Sequence, residues 1–234
     1  AQFNHPTILP PSEVNRALST YDPRSEISRF NANASTDPVR VSPPLRAVAA
    51  IAGEVSVATG GAFDITVGPL VQAWGFGVEL PATEIAPGPG VISGVRAEVG
   101  FDRLELGADG LSLRKTVPGL QLDVNGIAPG HAVDLIAERF DALGVRDYLV
   151  ELGGEVRARG SSPAGRPWRV AVEAPLSGER KPYTLVELDG LAVSTSGDYR
   201  DFRELNGRRL SHTIDPRTGA PVTHGLASVS VVHP

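Results

Sequence analysis

Short runs of alternating apolar residues, bounded by glycine or proline turns, fill much of the chain from residue 104 onward. This alternation predicts β-strands, because successive side chains of a strand point to opposite faces. The 26 glycines and 20 prolines stand in short clusters between apolar runs, which indicates turns rather than disorder. The predicted strands are 104–106, 111–113, 120–124, 148–152, 155–159, 169–173, 183–188, 191–195 and 227–232.

Two segments have the spacing of an amphipathic helix instead. The first runs from Pro44 to Thr59 and ends at a glycine pair; the second runs from His131 to Leu143 and ends at Gly144. Their predicted buried faces comprise Leu45, Val48, Ala49, Ala52 and Val55 in the first helix, and Val133, Ile136, Ala137 and Phe140 in the second. Segment 80–98 is rich in turn residues and is predicted to lie on the surface. The pattern predicts an α+β fold, with helices packed on antiparallel sheets.

Composition excludes several classes of function. The chain of 234 residues contains no cysteine, so disulfides, thiol nucleophiles, cysteine zinc sites and iron–sulfur clusters are excluded. Its formal charge of -5 and scattered arginines argue against nucleic-acid binding, which normally requires a basic face. The sequence has no apolar run of membrane-spanning length. No signal peptide is visible, and the residues leave the localisation open.

A glycine-rich and aromatic segment, TGGAFDITVGPLVQAWGFG at 59–77, is the first candidate for a site. Glycines allow the backbone to approach a ligand closely, and aromatic rings can stack on a planar group. The alternative is structural, since the same residues would also form a helix end followed by core aromatics.

A second candidate is LDVNGIAPGHAVD at 122–134, where an extended segment with Asp123 meets a turn that opens into a helix. Free N–H groups at a helix start favour an anion such as phosphate, and Asp123 could accept hydrogen bonds from a sugar or a base. Asp134 is expected to be an ordinary surface carboxylate. The segment lacks the GxxxxGK pattern of a P-loop. Many strand–turn–helix units bind nothing, so the structural alternative stays open.

The third candidate, STSGDYRDFRELNGRRLSHTIDPRTG at 194–219, holds His212 among sharp turns. Ser211 is a poor nucleophile candidate, because no GxSxG turn presents it. His212 could act as a general base near neutral pH or could hold a phosphate. A histidine in a turn is also commonly a satisfied hydrogen-bonding residue, which is the alternative here.

Taken in order, these segments resemble the ApbE family of FAD:protein FMN transferases. The similarity also includes STYDPRSEISRFN at 19–31, YLVELGGEVRARG, PWRVAVEAP and SHTIDPRTGAPV, and it extends from about Val14 to the end of the chain. The resemblance implies a single domain over residues 1–234 with a duplicated core of the T-fold type and FAD in a cleft between its halves. It further implies that the FAD pyrophosphate is cleaved with Mg²⁺, that AMP is released, and that FMN passes to a Thr or Ser hydroxyl in a target resembling Asp/Ser-Gly-Ala-Thr.

The resemblance also assigns roles to individual residues. It places Tyr21 beside the flavin, Ala62, Phe63 and Asp64 on FAD, and Asp123 at the adenosine end, with Asp123 and His212 as the expected catalytic residues. Pro129 occupies a position that contacts the cofactor in the family, and Gly126 is expected to give a main-chain oxygen to the metal. His212 is expected to contact phosphate and to take the proton from the acceptor hydroxyl. A hydroxyl that attacks a pyrophosphate needs a base and a divalent ion, which suits these roles.

Two departures from the family pattern carry further expectations. The family's GIAKG is GIAPG here, so Pro129 cannot supply a cation to the cofactor. The family's usual Met-Gly-Thr start and an Asp-x-x-x-Thr segment that completes the metal site are not found in the sequence. A chain without that segment is expected to bind Mg²⁺ poorly and to be inactive.

Two alternatives to the transferase remain: an FAD pyrophosphatase that releases FMN and AMP, and a flavin-binding module without turnover. The resemblance implies a periplasmic location, in the full-length form as a membrane-anchored lipoprotein. It implies FAD and flavin-carrying subunits of membrane redox complexes as partners.

Overall fold

The structure is a computed structural model that describes residues 11–77, 86–176, 180–200, 202–205 and 207–234. In chain order the helices are α1 (Pro11–Leu18), α2 (Glu26–Ala32), α3 (Pro43–Ala58), α4 (Gly68–Ala73), α5 (Pro89–Arg96) and α6 (Ala128–Ala142). The strands are β1 (Val39–Arg40), β2 (Leu104–Leu106), β3 (Ser112–Lys115), β4 (Tyr148–Leu152), β5 (Glu155–Arg159), β6 (Trp168–Glu173), β7 (Pro182–Leu188), β8 (Leu191–Gly197), β9 (Phe202–Leu205), β10 (Arg208–Ser211), β11 (Ile214–Asp215), β12 (Ala220–Pro221) and β13 (Ser228–His233).

These elements form two compact units. Of the described residues, those within 12–127 and 202–223 form the helical unit, and Pro11 together with those within 128–200 and 224–234 forms the sheet unit. Each unit combines helix with antiparallel strands, so the predicted α+β class is confirmed. The prediction of a single family domain over residues 1–234 stays a prediction. No helix among the described residues has the length and apolar character that a membrane crossing requires.

The sheet unit is built on an antiparallel sheet with strand order β13-β8-β5-β4. Helix α6 packs on β4 and β5, and its predicted apolar face is confirmed: Val133 and Ala137 are buried against Tyr148 and Val150. Gly144 stands directly beyond the end of α6 at φ +75°, a conformation that glycine adopts without strain. A separate hairpin, β6-β7, buries Leu188 in a second core cluster.

In the helical unit, α3 places its apolar face in the core. Leu45, Val48, Ala49 and Ala52 are buried as predicted, but Val55 is 36% exposed. Ser56 takes the next buried position and donates a hydrogen bond to the Ala52 carbonyl at 2.8 Å. The predicted start lies one residue late, because Pro43 and Pro44 both fit the first turn, where no N–H is needed.

The β-hairpins β9-β10 and β11-β12 belong to the helical unit although they follow the sheet unit's main segment in the chain. Ile214 of β11 is buried in one cluster with Leu70 of α4 and Val99. The Trp74 indole N–H donates to the Gly219 carbonyl at 2.8 Å, and an Arg96 N–H donates to the Arg217 carbonyl at 2.6 Å. These contacts fix the hairpins, and with them His212, on α4 and α5.

Two predicted segments differ from the structure. Residues 120–124 form one isolated bridge, Val67 with Gln121, instead of a strand, although Leu120, Leu122 and Val124 alternate in burial as predicted. The segment predicted as turns at 80–98 contains α5, which begins at a proline that suits a first helical turn. Residues 78–85 of that segment lie outside the described part of the chain.

Candidate functional site

A cavity of about 240 Å³ lies within the helical unit. Its wall is formed by α2 and the turn before it, by α4 and the turn after it, and by the extended segment 121–125. Tyr21, Asn31, Phe76 and Asp123 line it. The cavity therefore combines two aromatic rings with an amide and a carboxylate, which suits a planar polar ligand.

The extended segment is held by a side chain in the manner of a neighbouring strand. The Asn31 amide donates to the Leu122 carbonyl at 2.9 Å, and its oxygen accepts from the Leu122 N–H at 2.8 Å. On the other side, the Asp123 N–H donates to the Ile65 carbonyl at 2.7 Å. Because Asn31 satisfies both main-chain groups of Leu122, the segment stays extended without a full β-ladder.

Asp123 presents a half-buried carboxylate to this cavity. Its Oδ1 accepts from the Asn125 N–H at 2.9 Å, while Oδ2 accepts no hydrogen bond from any described residue. Burial raises the pKa of Asp123, and the bond from Asn125 opposes this shift. Oδ2 is thus available to a hydroxyl or ring N–H of a ligand.

Tyr21 lies at the rim of the cavity, and its side chain is 69% exposed. Its turn is closed by the Ser19 hydroxyl, which accepts from the N–H groups of Tyr21 at 3.3 Å and Asp22 at 3.2 Å. An exposed ring at a cavity rim can cover a bound planar group without rearrangement of the core.

The two aromatics of the WGFG motif have different surroundings. Phe76 lines the cavity, whereas the Trp74 indole is hydrogen-bonded to Gly219 in the hairpin region. Both rings also pack against the cluster around Leu70. The core interpretation therefore holds for both rings, and contact with a ligand stays a prediction that only the position of Phe76 allows.

Asp64 of the GAFD motif is used inside the protein. It is 6% exposed, and its carboxylate accepts from the Thr66 N–H at 2.8 Å, the Thr66 hydroxyl at 2.7 Å and the Phe101 N–H at 2.8 Å. Burial raises the pKa of Asp64, and these three bonds act against the shift. The carboxylate thus ties segment 64–66 to the turn at 101; its predicted contact with FAD stays a prediction.

The other two residues of the motif are more accessible. Ala62 is exposed and Phe63 is half-buried, with the Phe63 N–H bonded to the Thr59 hydroxyl at 3.1 Å. A Cβ atom on Gly126 would lie 3.7 Å from Phe63 Cε2, which is ordinary contact. The structure therefore brings the predicted FAD residue Phe63 next to the predicted metal-binding turn.

Gly126 lies exposed in the turn 125–127, closed by a bond from the Ile127 N–H to the Val124 carbonyl at 3.0 Å. Among the described residues, no group of three or more His, Asp or Glu side chains is placed to hold a metal ion. A main-chain oxygen at this turn can supply one ligand. An Mg²⁺ ion held here would need its other oxygens from substrate phosphates and water, and the predicted metal contact of Gly126 stays a prediction.

Pro129 stands in the first turn of α6, in the sheet unit, and is half-buried. Its ring lacks an N–H, which no helical partner requires at this place. Its predicted contact with the cofactor stays a prediction.

His212 is half-buried at the bend that follows β10, in the same unit as Asp123. Its neighbours fix the bend: the Ser211 hydroxyl is buried and accepts from the Thr213 N–H at 3.1 Å. Of the described residues, those that line the cavity do not include His212. Its predicted contact with phosphate stays a prediction.

Sequence reasoning missed Asn31 as a site residue. It stands at the end of a motif that carried the family resemblance, STYDPRSEISRFN, and only its pairing with Leu122 across 91 positions gives it a role. Tyr21 and Asp123, predicted at opposite ends of FAD, line one cavity.

Comparison with known proteins identifies the family of the chain. The model of the ApbE family matches residues 11–234. A protein from Haemophilus influenzae named FAD:protein FMN transferase is 41% identical over 226 residues, which are 95% of this chain and 65% of that protein.

Solved structures of similar proteins share the fold. The apo form of the flavinyl transferase ApbE from Pseudomonas stutzeri has a TM-score of 0.84 at 44% identity, covering 95% of this chain and 68% of that one. An ApbE protein from Thermotoga maritima has the same TM-score at 28% identity, with 94% and 70% covered.

The chain spans 65% of the length of the Haemophilus influenzae relative and of a second one, the FAD:protein FMN transferase of Vibrio cholerae. The family match nevertheless covers all described residues, including the cavity, the GAFD motif and the bend at His212. By this match the chain belongs to the ApbE family.

Proposed function

We propose that the protein binds FAD and transfers its FMN half to a hydroxyl group of another protein. The cavity around Asp123 is the observation that carries the proposal, and the activity for which the relatives are named supports it. A cavity with a free carboxylate oxygen is here combined with membership of a family whose relatives are named FAD:protein FMN transferase.

The cavity has the size of one end of the dinucleotide rather than of the whole. Its volume of about 240 Å³ is below the ~300–1,000 Å³ of pockets that enclose a complete drug-sized ligand. A ring system seated there would lie between Tyr21 and Phe76, with Asp123 Oδ2 accepting a hydrogen bond from its edge or from a sugar hydroxyl. The pyrophosphate would then lie outside the cavity.

In the proposed reaction, the oxygen of a Thr or Ser hydroxyl attacks the phosphorus of the FMN half. A new oxygen–phosphorus bond forms, the bond from that phosphorus to the bridging oxygen breaks, and AMP leaves with that oxygen. His212 takes the hydroxyl proton, which is a role suited to an imidazole near neutral pH.

The proposal includes a requirement for Mg²⁺. The ion would take one oxygen from the turn at Gly126 and the others from the phosphates and water. When bound it would neutralise charge on the phosphoryl oxygens.

The proposed acceptors are flavin-carrying subunits of membrane redox complexes, and the proposed compartment is the periplasm. Fractionation of cells that express the tagged gene product tests the location. Recovery of the tagged protein only in the cytoplasmic fraction would contradict it.

Binding is tested first, on the 234-residue chain, by titration with FAD and measurement of flavin fluorescence. Asp123→Ala is expected to weaken binding about tenfold, the effect of losing a hydrogen bond to a charged group. Asp109→Ala is the matched control, because Asp109 Oδ1 also accepts from the N–H two residues on, at 2.9 Å, but lies outside the cavity. An equal loss of FAD affinity in both variants would show that removing any such turn carboxylate weakens binding. The position of Asp123 in the cavity would then have no special effect.

Turnover is tested on the full gene product with FAD, Mg²⁺ and an acceptor protein. Covalent flavin fluorescence on the acceptor and an equal amount of AMP are expected. Free FMN and AMP without labelled acceptor would identify a pyrophosphatase instead. FAD binding without any product would identify a flavin-binding module. Such a module would need no metal, in keeping with the lack of a three-ligand metal group among the described residues.

A further inference from the structure

Lys115, at the end of β3, is among the most deeply buried side chains of the helical unit, with 1% exposure. Its Nζ donates to the carbonyls of Phe30 at 3.2 Å and Leu120 at 3.2 Å, and to that of Asn31 at 3.5 Å. Within the described part of the chain, no carboxylate lies within ion-pair distance of Nζ. A lysine here is therefore held by main-chain oxygens alone.

This arrangement offsets the cost of burying an ammonium group. Two of the three carbonyls belong to the last turn of α2, where the helix dipole is negative. Nζ also lies 5.3 Å from the centre of the Phe30 ring, a favourable cation–π distance. Burial lowers the pKa of Lys115, so a leucine or methionine would occupy the position at lower electrostatic cost. What a leucine or methionine could not supply is a donor to the carbonyls of Phe30, Asn31 and Leu120.

The three carbonyls flank the wall of the cavity. Asn31 and Leu122 line it and are joined by the paired hydrogen bonds at 2.9 and 2.8 Å, and Asp123 follows directly. Lys115 donates hydrogen bonds to the Asn31 carbonyl on one side and, on the other, to the carbonyl of Leu120, two residues before Leu122. It thereby sets the spacing between the end of α2 and the segment that carries Asp123.

We infer that Lys115 is a positioning residue for the ligand: it fixes the Asn31–Leu122 pair, and through it Asp123, in the geometry that binds FAD. Lys115 itself has no access to the ligand because its side chain is buried. The inference rests on the proposed FAD binding, but its structural half can be tested without ligand.

The variant is Lys115→Met, which keeps an unbranched chain and removes the donors. In the free protein, hydrogen exchange of the Leu122 amide is expected to accelerate at least about fivefold, the effect of weakening one hydrogen bond. For FAD, the dissociation constant is expected to rise about tenfold. Lys181→Met, at the exposed second lysine of the chain, is the matched control and should change neither value.

Two further variants distinguish the positioning role of Lys115 from a general loss of stability. Val48→Ala removes buried volume from α3, away from the cavity, and should leave FAD affinity unchanged in the folded protein. Asn31→Leu removes the side-chain bonds to Leu122, and combining it with Lys115→Met should weaken binding no further than Asn31→Leu alone.

The possible outcomes test three separate claims: the positioning role, its link to the ligand, and the proposed function. Additive losses in the double variant, or unchanged exchange at Leu122, would overturn the positioning role. Faster exchange with unchanged FAD affinity would overturn the link to the ligand. Absence of FAD binding in the unsubstituted chain, with faster exchange in Lys115→Met, would instead overturn the proposed function and leave Lys115 as an organiser of this wall.

Discussion

The pKa values of Asp64 and Asp123 shift in the same direction, but the two carboxylates have different surroundings. Burial raises the pKa of both carboxyl groups. Both oxygens of Asp64 accept internal hydrogen bonds, three in all. Asp123 accepts one, from the Asn125 N–H, and lines the cavity. A perturbed carboxyl group therefore indicates a ligand site only where an acceptor oxygen remains unused.

Replacing Asp64 by Asn tests its internal role. The amide oxygen can still accept from Thr66, but the amide nitrogen would then face the Phe101 N–H, donor against donor. We expect the free energy of unfolding in urea to fall by about 1–3 kcal/mol at neutral pH. Asp37→Asn, at an exposed carboxylate that accepts from the Ser35 hydroxyl, should have almost no effect.

The difference in stability between the unsubstituted chain and Asp64→Asn should also depend on pH, in a direction that the raised pKa of Asp64 determines. Because the folded-state pKa of Asp64 lies above the ordinary 3.8, the folded state keeps its proton at pH values where the unfolded state has lost it. The stability of the unsubstituted chain relative to Asp64→Asn should therefore decrease as the pH rises from 3.8 through the raised pKa. A relative stability that increases over this window would contradict the burial argument.

At the scale of elements, the hairpins of residues 202–223 depend on side-chain to main-chain bonds to α4 and α5. Trp74 donates to the Gly219 carbonyl at 2.8 Å, and Arg203 donates to the Trp74 carbonyl at 2.9 Å. A Cβ on Gly219 would lie 2.6 Å from Arg96 Cδ at a positive φ of +73°, so the contact requires glycine. These bonds hold the bend that carries His212.

Trp74→Phe is expected to loosen this region specifically. Hydrogen exchange over residues 207–223 should accelerate by about fivefold, since one hydrogen bond of about 1 kcal/mol is lost while most of the apolar contact is kept. Trp168→Phe is the matched control, because the chain's other tryptophan also donates to a carbonyl, that of Arg159 at 3.0 Å, but in the sheet unit. Faster exchange at 207–223 in the control, or in neither variant, would contradict this account.

The elements that could be predicted are those whose pattern is local. Strands β4 and β5 have the predicted bounds, and α6 has the predicted apolar face, because alternation or helical spacing is complete within each segment. Residues 120–124 were wrongly predicted as a strand, since Leu122 pairs with the distant Asn31 side chain and only Gln121 forms a bridge, with Val67. Helix α5 was missed because its prolines and glycines read as turns, although one proline begins the helix.

For the site, the sequence indicated Tyr21, Asp123 and the GAFD motif through the family resemblance and could not say which oxygens are free. Asp64 and Asp123 cannot be told apart from residue type or spacing. The internal partners of Asp64, at Thr66 and Phe101, become visible only in three dimensions. Lys115 gave no signal either, because a single lysine beside a strand usually lies on the surface.

At the scale of the whole molecule, the chain passes between its two units after Pro11, at Ile127 and Ala128, after β8 and after β12. The turn with Gly126 therefore ends one unit, and Pro129 opens the other. The cavity with Tyr21, Asn31 and Asp123 lies wholly within the helical unit. FAD recognition is thus expected to begin in that unit.

A crystal structure of the chain with FAD tests the account most directly. We expect one ring system of FAD in the cavity between Tyr21 and Phe76, with a donor of the ligand within hydrogen-bonding distance of Asp123 Oδ2. FAD ordered elsewhere on the protein, with Asp123 and Asn31 in contact only with solvent, would contradict it.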